Sequence, residues 1–309
     1  MSQPIRLAIV GVGKIAHDQH LPAIAASDRF RLVGAATHGE VALDVPVFGS
    51  IDQLLASGIE IDAVAMCQPP QARFDAAVKA LRARKHVLLE KPPGATLAEV
   101  EALTQTAEKQ GVSLFAAWHS RYAPGVEPAR AWLAGRRILS VDIEWKEDVR
   151  RWHPGQQWIW DAGGLGVFDP GINALSIATH ILPQHIFLLS GQLEVPENRD
   201  APIAAHLAMA DMDGAPIRAV FDWRQTGPQS WNICVYTDAG TLLIEQGGAK
   251  LTIAGDPVDL PVEAEYPSLY NHFADIIASG AREADRSPLR LVADSFLRCS
   301  HLQVAPFID

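Results

Sequence analysis

Short apolar runs alternate with amphipathic stretches through the first third of the chain. Residues 5–10 are apolar apart from Arg6, and residues 63–67 are apolar throughout. Runs of this kind mark strands buried on both faces. Residues 31–36, 87–90 and 113–118 read the same way. Between them lie helical patterns at 16–26, 51–56, 73–84 and 97–110. Pro22 must shorten or kink the first, and Ser50 can cap the second. Pro69-Pro70 closes the strand at 63–67. Strands alternating with helices of this length predict βαβ units and a parallel sheet.

The rhythm changes after about residue 122. One more helix is predicted at 126–134, and 138–146 alternates as a half-exposed strand. From 193 to 260, short strand-like segments are separated by Asp213-Gly214, Ala239-Gly240, Gly247-Gly248 and Gly255-Asp256. Such pairs are hairpin signals, so this second sheet is expected to be mostly antiparallel. Helices at about 267–279 and 289–301 close the chain. The change of pattern divides the sequence into domains 1–121 and 122–309, and the length of 309 residues suits two.

A net charge of −10 argues against nucleic acid, which requires a basic face. Cys67, Cys234 and Cys299 lie far apart, with no CxxC pair, and suit a reducing cytoplasm. The N-terminal residues run straight into a strand and do not read as a signal peptide. No stretch is long and apolar enough to span a membrane. His17 and His20 share a helix face without a carboxylate on it, and no HExxH occurs, so no catalytic metal is expected.

Gly11-Val12-Gly13-Lys14-Ile15-Ala16 follows the first strand and opens the first helix. In a G-x-G-x-x-A loop the first glycine permits a tight turn. The second lets backbone approach a pyrophosphate, and alanine allows close helix–strand packing. Placed at the head of a βαβ series, the loop predicts dinucleotide binding. The second strand ends Ala36-Thr37-His38-Gly39, without the acidic residue that usually selects NAD. Thr37 and His38 could hydrogen-bond a 2′-phosphate, but no arginine is there to grip it. Use of both NAD and NADP is therefore expected.

His86-Val87-Leu88-Leu89-Glu90-Lys91-Pro92-Pro93 puts a lysine at the carboxyl end of a buried strand, the edge where such sheets bind ligands. Phe168-Asp169-Pro170-Gly171-Ile172-Asn173 begins a helix. Asp169 at the N-cap with Pro170 next is a common start, and Asp169, Asn173, Ser176 and His180 could form a merely solvated face. Residues 152–160 hold three of the eight tryptophans, interleaved with polar side chains. Such a loop suits a sugar, or packing beneath a long loop. Upstream, Trp145-Lys146-Glu147-Asp148-Val149-Arg150-Arg151 is charge-dense, which ordinarily means a solvated strand end.

The glycine loop, Glu90-Lys91-Pro92 and Asp169-x-x-x-Asn173, in that order, resemble the glucose–fructose oxidoreductase/inositol dehydrogenase (Gfo/Idh/MocA) family over essentially the whole chain. The strings 145–156, 163–176 and 288–294 are far more specific. They resemble the bacterial aldose 1-dehydrogenases of that family. The resemblance implies an α/β protein: an N-terminal Rossmann domain, then an α/β domain with a large, mostly antiparallel open sheet, the substrate lying in the cleft between. It implies NAD or NADP held by Gly11, Gly13, Lys14, Ile15, Thr37, His38, Cys67, Pro69, Glu90 and Lys91. Lys91, Asp169 and Asn173 become catalytic residues, with Glu90 orienting the lysine. His119, Glu147, Trp152, His153 and Trp231 join Asp169 and Asn173 as sugar contacts. Much of the wider family has His where this chain has Asn173. An amide cannot serve as a general base, so another group must take the proton.

The implied reaction is oxidation of D-galactose at C1 to the lactone, with L-arabinose and D-fucose also accepted. Alternatives on the same fold are L-arabinose as principal substrate, an inositol or nucleotide sugar, and a cofactor-binding sensor without catalysis. The absence of a basic cluster argues against a diphosphate substrate. Lys91 and Asp169 together argue against the sensor. An open sheet with one uncovered face allows a homodimer.

Overall fold

Six parallel strands arise from the apolar runs of the N-terminal third: β1 (Ile5–Val10), β2 (Phe30–Ala36), β3 (Val47–Phe48), β4 (Ala63–Met66), β5 (His86–Glu90) and β6 (Leu114–Ala117). The structure is a computed structural model describing residues 3–262 and 264–308; Met1 and Ser2, where the N-terminal reading starts, lie outside them. The strand order is β3-β2-β1-β4-β5-β6. Leu7, Ile9, Val64, Leu89 and Leu114 have no exposed surface, as two-sided burial requires. Helices Ile51–Ala56, Pro70–Arg82 and Leu97–Gln110 supply Leu54, Ala77, Leu81 and Leu103 to the core on one face. Ser50 caps the first of these by accepting from Gln53 N at 3.2 Å. The predicted helix at 16–26 forms as a π-turn, Ala16–His20, followed by α-helix, Leu21–Ala25, with Pro22 in its first turn.

The order reverses between β1 and β4, which leaves a crevice beyond their carboxyl ends. Register aligns Val10 with Ala36 and with Met66, and Glu90 with Ala117. The residues that follow, Gly11, Thr37, Cys67 and Lys91, therefore emerge along one sheet edge.

The chain forms two compact units, and the first takes in Ala264–Arg286 as well as the residues up to His119. The helix Glu265–Ser279 thus belongs with the parallel sheet, although chain order alone puts it in the second domain. Aromatic packing explains this. Phe273 stacks on Phe30 and on Phe115, each at 5.8 Å, and Tyr270 meets Phe30 edge-on at 5.3 Å.

The second unit is Ser120–Glu263 with Ser287–Asp309. Its sheet comprises β7 (Ile138–Lys146), β8 (Ile186–Pro196), β9 (Ala204–Asp211), β10 (Pro216–Asp222), β11 (Ser230–Thr237), β12 (Gly240–Glu245), β13 (Lys250–Ile253), β14 (Asp256–Pro257) and β15 (Ser300–Val304). They run in the order β14-β13-β12-β11-β7-β10-β9-β8-β15. Pairing is antiparallel except for β7 with β10 and β8 with β15. The last helix ends at Arg298, so 300–304, read from sequence partly as helix, is instead an edge strand. Helix Phe168–Ile181 lies against this sheet, Phe168 meeting Phe221 edge-on at 5.8 Å. Among the described residues, no helix is long and apolar enough to cross a membrane.

Candidate active site

The glycine loop turns sharply where β1 ends. Gly11 has φ +88°, and a Cβ there would come within 2.7 Å of Gln68 N. Only glycine meets both demands. At Gly13 a Cβ would have nothing within 4 Å, so the space over that backbone is open. Thr37 Oγ1 accepts from Val12 N at 3.2 Å, tying the end of β2 to the loop. His38 is exposed. Lys14 pairs with Asp18 one turn along, Ile15 starts the helix, and Pro69 precedes helix Pro70–Arg82. Cys67 is buried, its N–H bonded to Val10 O at 2.8 Å. Gln68 Oε1 beside Gly11 is buried without a hydrogen-bond partner. An open glycine backbone, a helix start and an unused buried acceptor at one sheet edge fit a dinucleotide.

At the end of β5, Glu90 is 3% exposed and bound on several sides. Its Oε2 accepts from Lys91 N at 2.7 Å. Its Oε1 accepts from Tyr266 Oη at 2.7 Å and lies 3.0 Å from His20 Nε2. His20 Nδ1 lies 2.7 Å from Tyr270 Oη. Burial alone would raise the Glu90 carboxyl, but the His20 hydrogen bond and charge, with His119 and Tyr266, hold it down at about 2. For His20, burial favours the neutral ring; Cys67, Tyr270 and Glu90 overcome it and raise the imidazolium well above its ordinary range. The pair is therefore ionic. Arg73 donates to the carbonyls of Glu90 and Pro92, flanking Lys91 on both sides. Burial lowers this guanidinium to about 10, against the attraction of Glu90. Nearby in the same unit, His119 Nδ1 lies 2.7 Å from Glu265 Oε2 and its ring stacks on Tyr266.

A separate cluster forms in the second unit. Asp169 is 4% exposed and Glu147 3% exposed. His153 Nε2 is 3.6 Å from Asp169 Oδ2 and 3.8 Å from Glu147 Oε1. Glu147 accepts from Trp231 Nε1 at 2.9 Å and from Trp223 Nε1 at 3.3 Å. Trp152 packs on Trp231 at 5.4 Å, and its Nε1 is buried without a hydrogen-bond partner. Asn173 is half-buried one turn beyond Asp169.

Three expectations are corrected here. Asp169 is not the N-cap: the helix begins at Phe168 with Val167 before it. Asp169 N already bonds to Gly166 O, so the turn closes earlier than Pro170 suggests. Nor is this face solvated, since Asp169 and Ser176 are buried and His180 pairs with Glu127. The charge-dense end of β7 is likewise no open edge, because Glu147 points inward onto two indole N–H groups.

A family model described as oxidoreductase family, NAD-binding Rossmann fold (Gfo/Idh/MocA), matches residues 5–117. Galactose 1-dehydrogenase of Pseudomonas fluorescens is 48% identical over 307 residues, covering 99% of this chain and 100% of that protein. The chain belongs to the Gfo/Idh/MocA oxidoreductase family. Its first unit is an NAD-binding Rossmann domain for NAD or NADP. The crystal structure of D-galactose-1-dehydrogenase from Rhizobium etli is 57% identical, with TM-score 0.96, covering 100% of this chain and 99% of that one. A 3-ketoreductase from Actinomadura kijaniata, in complex with TDP-benzene and NADP, is 20% identical with TM-score 0.82 and shares the fold.

Sequence reasoning missed His20, Arg73, Tyr266, Tyr270, Trp223 and Gln68. The carboxylate sought for His20 on its own helix comes instead from β5, 70 residues away. Arg73 carried a signal only as an arginine in an otherwise apolar helix face.

Proposed function

We propose that this oxidoreductase is an aldose 1-dehydrogenase that oxidises D-galactose to its lactone with NAD or NADP. The observation that carries this reading is the 57% identity to D-galactose-1-dehydrogenase, end to end at TM-score 0.96. The second-unit cluster supports it. Indoles offer flat apolar faces to the C–H surface of a sugar, and the buried Trp152 N–H is a donor suited to a hydroxyl.

The glycine loop at Gly11 and Gly13, tied to Thr37, would hold NAD or NADP, which would supply the acceptor for the hydride leaving C1. Asp169 takes the O1 proton, and the Lys91 ammonium stabilises the charge developing on O1. Asn173, which cannot hold the proton, hydrogen-bonds O1 or the ring oxygen. Glu90 and Arg73 fix the backbone on either side of Lys91, so the ammonium starts from a defined position. With no acidic residue among Thr37, His38 and Gly39 at the end of β2, the protein uses both cofactors. The exposed Leu139, Phe187, Leu189 and Tyr236 of the second sheet support a homodimer through that sheet.

D-Galactose, D-fucose and L-arabinose share the hydroxyl pattern at C2 to C4 and differ at C5. D-Glucose is the C4 epimer. A site that pairs the axial C4 hydroxyl leaves buried polar groups unpaired with glucose, worth up to about 10⁴-fold in kcat/KM. Reduction of NAD and of NADP at 340 nm, with each of the four sugars, tests the reading. Turnover with galactose, fucose and arabinose but little with glucose is expected, with the two cofactors within about 10³-fold in kcat/KM, roughly 4 kcal/mol. No reduction with any aldose would overturn it.

A further inference from the structure

Asn173 leaves a gap in the chemistry that the proposed reaction needs. A carboxylate that accepts the O1 proton must pass it on before the next turnover, and the amide one helical turn away cannot receive it. The structure supplies an imidazole from elsewhere. His153 leaves the short helix Val149–Trp152 and directs Nε2 at Asp169 Oδ2, 3.6 Å away. On the other side of the same nitrogen stands Glu147 Oε1, at 3.8 Å.

We propose that His153 is the proton relay behind Asp169, with Glu147 as the fixed countercharge that stabilises its imidazolium. The inference rests on the aldose dehydrogenase reading given above. In the step, the O1–H bond breaks and its proton goes to Asp169. The C1–H electron pair leaves as hydride to NAD(P)+, and an O1 lone pair forms the C1=O bond of the lactone. The Asp169 O–H bond then breaks as Nε2–H forms. Asp169 is a carboxylate again, and the imidazolium lies between two carboxylates.

Three observations support the assignment. Nδ1 of His153 faces Gln156 Oε1 at 3.4 Å. An amide oxygen only accepts, so Nδ1 carries the hydrogen and Nε2 of the neutral ring presents its lone pair to Asp169. Glu147 is fixed beside the ring by hydrogen bonds from Trp223 Nε1 and Trp231 Nε1. Finally, the side chain of His153 is 18% exposed, against 6% for Asp169 and 4% for Glu147. The proton thus moves from a buried group to one with access to water. The groups facing the ring include Glu147 from the end of β7, Asp169 from helix Phe168–Ile181, Trp223 beyond β10 at 5.3 Å between ring centroids, and Gln156 from its own loop. Of these groups, the two carboxylates carry charge.

The test compares the pH dependence of kcat for D-galactose in the wild-type protein, His153→Gln and Glu147→Gln. Glutamine keeps hydrogen-bonding capacity but cannot carry a proton. His153→Gln is expected to lose about 10–100-fold in kcat, a moderate share of what general base catalysis supplies, with KM within about threefold. It should also lose the acidic limb of the profile, and millimolar imidazole should restore part of the rate. Glu147→Gln should move that limb down by about one pH unit, because the imidazolium loses an opposite charge. An unchanged limb in His153→Gln, or a loss confined to KM, overturns the relay and makes His153 a sugar contact only. If His153→Gln is inactive, NADPH fluorescence enhancement reports whether the first unit is intact. Intact binding with imidazole rescue supports the relay, and intact binding without rescue overturns it. A wild-type protein that oxidises no aldose overturns the function and the relay together; an active wild type with an unaltered variant profile overturns the relay alone.

Discussion

Asp169 gains its proposed role from burial that its local sequence disguises. Asp-Pro at a helix start ordinarily reads as a cap, and only the closure of the preceding turn onto Gly166 moves the carboxyl inward. Glu147 is disguised in the same way, since it sits in a run of charges yet is 3% exposed. Its partners Trp223 and Trp231 follow it by 76 and 84 positions, a separation over which pattern carries no information. Lys91 stands out in the sequence because it follows a two-sided apolar strand, a place with few structural uses for an ammonium. Asp169→Asn should lower kcat by about 10²–10⁴-fold while KM for galactose changes little. Steady-state kinetics at saturating cofactor would check this, and a kcat near wild type would remove Asp169 from the base role.

Elements show a different balance between what pattern reveals and what it hides. The glycine loop was readable in full, and its two glycines are glycine for separable reasons. Gly11 is required by its own backbone and by the 2.7 Å approach of Gln68 N, whereas at Gly13 a Cβ meets nothing. Gly13→Ala should therefore leave thermal stability within about 0.5 kcal/mol of wild type. It should raise the KM for both cofactors at least about tenfold, because the methyl group fills the space a pyrophosphate approaches. Gly11→Ala should destabilise the fold itself. Calorimetry beside cofactor titration separates the two, and equal Tm losses would defeat the distinction. The end of β5 was only half readable, since the partners of Glu90 come from two distant helices. Its carboxyl, held at about 2, contributes stability that is present above the ordinary value of 4.5 and lost as pH falls toward 2. His20, raised above 6.5, contributes stability present below 6.5 and lost as pH climbs through its raised value. Glu90→Gln should thus be less stable than wild type by roughly 3 kcal/mol near pH 5–6, and the gap should close toward pH 2. Urea unfolding across that range would show it, and a gap independent of pH would mean that the loss is one of packing.

At the scale of the whole molecule, alternation of strand and helix was enough to predict the parallel sheet, and turn pairs were enough for most of the second one. What failed was the assumption that a domain is a continuous stretch of chain. Amphipathic helix Glu265–Ser279 shows one apolar face, and nothing in that face names the sheet it will cover. The answer lies in shape: Tyr270 and Phe273 fit Phe30 and Phe115, while Tyr266 and Tyr270 complete the buried pair of Glu90 and His20. A fragment of residues 1–121 would uncover those aromatic rings and leave a buried ion pair without two of its hydrogen-bond partners, a combination that costs several kcal/mol. A small domain has only about 5–15 kcal/mol in hand. The fragment should therefore be largely unfolded by circular dichroism and fail to enhance NADPH fluorescence. The same fragment joined through a flexible linker to residues 264–286 should fold cooperatively and bind the cofactor. Equal cofactor binding by both fragments would show that the helix is peripheral to the first unit rather than part of its core.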